Sequence, residues 1–82
     1  MYFVTIKQPG YCLFATTPSE RFAVGLRDDQ RHLHLLAREG STWRIVRELT
    51  VEEHSHTDVM LRLGAGPEPD TAEALVRRAT GR

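Results

Sequence analysis

TPSERFAVGLRDDQRHLHLLAR, residues 17–38, is compatible with two different folds. Thr17-Pro18-Ser19-Glu20 has the form of a helix capping box with proline at the first helical position, and Phe22, Leu26, Leu33 and Leu36 follow at helix-like spacing. Against a helix, Gly25 sits inside the pattern and Asp28-Asp29-Gln30 interrupts it. A period of two holds over Phe22, Val24 and Leu26, and again over Leu33, Leu35 and Ala37. The balance favours a strand over 22–26, a polar turn at 27–30 and a strand over 31–38. The alternative is a helix within 18–38 packed on a smaller sheet.

On the N-terminal side, YFVTIK (2–7) and YCLFAT (11–16) are β-branched and aromatic, and Pro9-Gly10 between them is a turn, so a hairpin is expected. On the C-terminal side, Glu39-Gly40-Ser41 reads as a turn. TWRIVREL (42–49) then places Trp43, Ile45 and Leu49 on one face, with Arg47 breaking it. TDVMLRL (57–63) alternates, with Val59, Leu61 and Leu63 facing one way, so it too reads as a strand. Asp70 with Glu73 three residues on predicts a capped helix carrying an apolar stripe of Ala72, Leu75, Val76 and Ala79. Arg77 and Arg78 suit its negative C-terminal end, and Gly81 suits a stop. The expected fold is α+β and mostly β: an antiparallel meander of about 5–6 strands, as an open sheet or small barrel, with one C-terminal helix. Residues 1–82 form a single small domain, with a β-rich body over 1–64, a linker over 65–69 and a helix over 70–80.

The layout of several strands followed by one helix, with the turn in LRDDQRHLHLL, is similar to a Pur-alpha repeat. The arginine-glycine step expected after that turn in the family is His32 here. The resemblance implies another sheet-plus-helix unit.

Composition bounds the function. The 82 residues carry 11 basic and 11 acidic side chains, so no global field holds nucleic acid and any such binding needs a local patch. All basic residues but Lys7 are arginine, whose planar fork suits phosphate or carboxylate. Cys12 is the only cysteine, which excludes an internal disulfide, fits a reducing compartment, and is expected to be packing in an apolar strand. The first residues show no secretory leader pattern and no stretch has the length of a membrane span, so a cytoplasmic location without membrane contact is expected.

The distinctive feature is a pair of His-x-His motifs, His32/His34 and His54/His56. Residues i and i+2 of a strand share a face, so both members of a pair can ligate one divalent metal. Pairing Leu35 with Ile45 and Ala37 with Trp43 across a three-residue loop, Glu39 to Ser41, sets His32 opposite Glu48. A two-residue Gly40-Ser41 turn would shift the register by one. A metal site of His32, His34 and Glu48 is then conceivable, while His54 and His56 belong to a separate acidic loop and are expected to be solvated. No phosphate-binding glycine loop and no Cys-x-x-Cys is present, and paired carboxylates such as Glu52-Glu53 lack an apolar setting to tune them apart. The expected function is a non-enzymatic, self-associating protein-interaction or regulatory module acting through a protein partner, with no resident cofactor. A nucleic-acid-binding sheet and a His-based metal-binding protein are the alternatives. Arg38, Arg44, Arg62, Tyr2 and Tyr11 are the candidate contact residues for either partner, with Phe3 and Phe14 adding aromatic area and His32 and His34 extending the arginine patch.

Overall fold

A computed structural model of the protein describes residues 3–81. Five strands form one antiparallel meander in the order β1 (Val4–Thr5), β2 (Tyr11–Thr16), β3 (Phe22–Arg27), β4 (His32–Glu39) and β5 (Thr42–Thr50). The sheet is open, and two helices follow it, α1 (His56–Gly64) and α2 (Ala72–Thr80). Residues 17–38 are therefore two strands and not a helix. Thr17-Pro18-Ser19-Glu20 makes a turn instead of a helix start: the Glu20 amide donates to the Thr17 carbonyl at 2.9 Å, and Glu20 takes the left-handed conformation at φ 61°. The Thr17 hydroxyl accepts from the Phe22 amide rather than from a helical turn.

Two expectations need correction. The first is the strand over 57–63, which is the helix α1. Ser55 caps it by accepting from the Asp58 amide at 3.0 Å, and Val59 and Leu63, four residues apart, are its buried pair. Leu61, which a strand would bury with them, is 68% exposed. Seven residues with apolar groups at 59, 60, 61 and 63 satisfy both periods, and the capping serine decides between them. The strands thus end at Thr50, and two helices replace the single helix of a Pur-alpha-like layout. The N-cap of α2 is Thr71, whose hydroxyl accepts from Ala74, and not Asp70.

The second correction is the register of β4 and β5. They are joined by the two-residue turn, with Glu39 paired to Thr42 and Gly40 at φ 61°. A positive φ at the first central position alone is the glycine requirement of a type II′ hairpin, whose twist matches the strands. Further along, Leu36 pairs with Ile45 but Leu35 pairs with Arg47, so Val46 is the extra residue of a β-bulge. The bulge moves Leu49 to the face opposite Trp43 and Ile45, and together with the two-residue turn it sets His34, not His32, opposite Glu48.

The helices cover one face of the sheet. Phe22, Val24, Leu33, Leu35 and Leu49 pack there against Val59 and Leu63 of α1 and Leu75 and Ala79 of α2. Each helix also caps the other: Arg62 of α1 donates to the Ala79 carbonyl at 3.0 Å, and Arg78 of α2 donates to the Leu63 carbonyl at 3.2 Å. The connection before α2 is tied back to the 17–21 turn, where Arg21 donates to the Asp70 carbonyl at 2.7 Å and Ser19 bonds Glu68. Among the described residues no helix is long and apolar enough to cross a membrane.

The helical assignment of α1 separates two substitutions that a strand would treat alike. Leu63→Ala should lower the unfolding free energy by about 2–5 kcal/mol, as for a fully buried leucine. Leu61→Glu should change it by less than about 0.5 kcal/mol. Urea unfolding followed by circular dichroism measures both, and equal losses would return residues 57–63 to the sheet.

Candidate functional site

The face of the sheet away from the helices carries the unusual chemistry. There the middle of the central strand β3 shows the small residues Ala23 and Gly25, a trough between bulkier neighbours. Side chains from other strands fill it. Tyr11 of β2 leans across Gly25, so close that a Cβ there would lie 2.5 Å from the tyrosine ring. Its hydroxyl reaches His34 Nδ1 on β4 at 2.6 Å. Trp43 of β5 meets Phe14 of β2 edge-to-face at 5.5 Å, and Phe14 meets Tyr11 at 5.1 Å. This second small core buries Phe14, Ala23 and Leu36 almost completely although no helix among the described residues lies over it. Arg27 stacks on Tyr11 at 5.1 Å and Arg38 stacks on Trp43 at 5.0 Å, placing two cations over the aromatic layer. Val4 and Ile45 remain 42% and 48% exposed at the two edges of the same face.

Beside the aromatic layer lies a polar cluster. Glu48 faces both members of the first histidine pair, with His32 Nε2 and His34 Nε2 each 3.8 Å from one of its oxygens. His32 Nδ1 lies 2.7 Å from Asp29 Oδ2. Donation from the Arg31 amide and then from His32 holds the Asp29 carboxyl down to about 2, so it is ionised and only accepts. The proton of that contact therefore sits on His32 Nδ1. His34 is different because its side chain is only 9% exposed. Burial pushes it below the ordinary 6.5 of an imidazole, with Glu48 opposing in part. Burial likewise raises the Tyr11 hydroxyl, partly offset by Arg27. His32, His34 and Glu48 are thus neighbours, as expected, but among the described residues no set of three or more His, Cys, Asp or Glu side chains is arranged to hold a metal ion.

The other expected contact residues scatter. Arg38 and Tyr11 share the uncovered face. Arg44 stands opposite Ala37 of the helix-side core and binds Glu39 at 2.8 Å, and Arg62 is the cap between the helices. Tyr2 lies outside the described residues. Phe3 packs toward the helix-side core. Cys12, expected in packing, is exposed at a bulge of β2, with Sγ 3.3 Å from the Arg27 carbonyl. Of His54 and His56, expected in a solvated loop, His54 precedes the Ser55 cap and accepts from Arg62 at 3.3 Å, while His56 opens α1, with Nε2 buried without a partner among the described residues and its pKa lowered by burial. Trp43 and Arg27 enter the surface without having been expected there. The signal for them was the small pair Ala23 and Gly25, which leaves room that the large residues of flanking strands must fill.

No family model, curated protein or solved structure matches this chain.

Two imidazoles with pKa values lowered by burial, those of His34 and His56, link stability to pH. The unfolded chain binds protons near 6.5 that the folded chain takes up only at lower pH. Their contribution is complete above that value and falls away as pH drops below it, by up to about 1.4 kcal/mol per pH unit for each proton. Urea unfolding at a series of pH values should show this decline, and His34→Gln and His56→Gln should each flatten it. A pH-independent stability from 7.5 down to 5 would contradict it.

Proposed function

We propose that this chain is a non-enzymatic interaction module that self-associates through the uncovered face of its sheet. One observation carries the reading: a sheet with helices on one side only presents a layer of Tyr11, Trp43, Arg27, Arg38, Val4 and Ile45 on the other. Tryptophan, tyrosine and arginine are the residues that dominate binding energy at protein interfaces. Their rings are already fixed by mutual packing, so little side-chain freedom is lost on contact. The same face carries Glu48 as well as the two arginines, and a two-fold pairing of identical faces can set one sign against the other.

A second reading rests on the stacked pairs Arg27–Tyr11 and Arg38–Trp43. Cation-capped rings on an open sheet are also the means by which single-stranded nucleic acid is held.

Light scattering over a wide concentration range tests the first reading. The mass should rise from that of one chain toward two, and Ile45→Glu should weaken the association by roughly tenfold or more, about 1.4 kcal/mol. Ile45 is exposed, so the variant keeps its fold. A monomer at every concentration, unchanged by the substitution, would remove self-association. Saturable, salt-sensitive binding of a short single-stranded oligonucleotide by that monomer would favour the second reading instead.

A further inference from the structure

A different surface lies between the free edge of the sheet and the second helix. Strand β5 pairs only with β4, so among the described residues its outer backbone groups have no strand partner. Immediately beside it, β5 and α2 border a shallow, open groove of about 470 Å3. Its floor is apolar, from Val46, Ala72 and Val76, and Arg47 and Arg77 stand at its rim with Glu73. The bulge creates this shape. It leaves Val46 packed toward the helix-side core and Arg47 lining the same groove, two consecutive side chains turned to α2.

We infer that this groove receives a short extended peptide segment of a partner protein, added as a sixth strand along β5, with an apolar side chain in the groove and carboxylates beside it. Adding a strand to a free edge supplies main-chain hydrogen bonds, and side chains on alternate positions of the added strand then enter the space between strand and helix. The charge at the rim selects an acidic segment. Among the described residues neither Arg47 nor Arg77 has an ion-pair partner, whereas Arg44 on the same strand is already held by Glu39 at 2.8 Å. The bulge and the arginines also argue against a second copy of β5 as the occupant. Bulges and charged side chains are the devices that keep sheet edges from pairing along their length, while a segment of a few residues needs only the part of the edge beside the groove. This surface is separate from the uncovered sheet face, and either can fail without the other.

The probe is a fluorescein-labelled octapeptide of alternating valine and glutamate, compared with its valine–lysine counterpart. Fluorescence anisotropy against the whole chain should saturate with a Kd well below about 1 mM, and the lysine peptide should bind at least roughly tenfold more weakly. Arg47 and Arg77 are exposed, so Arg47→Glu with Arg77→Glu leaves the fold intact while weakening the acidic peptide by a similar factor. Backbone amide shifts on peptide addition should concentrate on Thr42–Thr50 and Ala72–Thr80. Absence of saturation, equal binding of the lysine peptide, or shifts centred on Tyr11 and Phe14 of β2 would each overturn the assignment. So would protection of the β5 amides by a dimer that the peptide does not displace, since the occupant would then be a second copy. Val4→Glu, at the opposite edge of the uncovered face, provides the control that separates failure of one surface from failure of the other.

Discussion

The close approach of Tyr11 to Gly25 organises the uncovered half of this protein. A sheet of five strands with helices on one side would ordinarily leave its other face as a row of solvated side chains. Here the central strand alternates large residues toward the helices with small ones away from them: Phe22, Val24 and Leu26 on one side, Ala23 and Gly25 on the other. The missing volume draws a tyrosine inward from one flank and a tryptophan from the other, and both close over Phe14. A sheet only one residue thick thereby acquires two cores. For a chain of 82 residues, where a single core gives a narrow margin of stability, the second layer matters energetically as well as chemically.

The same packing decides which polar groups can cooperate. Tyr11 crosses β3 to bond His34, and His34 faces Glu48, which also faces His32. The tyrosine is therefore at once a filler of the trough, the partner of a buried imidazole and the seat of the Arg27 guanidinium. A residue with three such roles is hard to replace, because phenylalanine would keep the packing while orphaning His34 Nδ1.

Much of this was legible from residues. The period of two over 22–26 and 33–37 outweighed a good capping box at Thr17–Glu20, because a gap at Gly25 and a polar run at 28–30 defeat a helix more surely than a cap makes one. Residues 57–63 misled because a short apolar run can satisfy both periods, and the deciding atom is the Ser55 hydroxyl, outside the run. The expected register of β4 and β5 differs from the observed one by two residues, one from the two-residue turn and one from the extra residue at Val46. Together they set His34 rather than His32 opposite Glu48, and the bulge makes Arg47 look misplaced in the alternation. Arg44 and Arg62 drew attention as exposed cations, yet arginine serves as readily for capping carbonyls and pairing carboxylates within a fold as for meeting a ligand, and only tertiary placement tells these apart.

The exchange of caps between the two helices has a consequence for how the molecule comes apart. Each helix is nine residues, too short to persist in water alone, and each ends in a carbonyl held by an arginine of the other. Loosening α2 strips α1 of its terminal partner, and the reverse holds equally. The pair is thus one cooperative unit set against the sheet, and partial opening would expose the whole helix-side face at once while the aromatic layer on the far side stays closed. A chain that opened in this way would carry two unlike surfaces, one present in the closed fold and one visible only in a minor state.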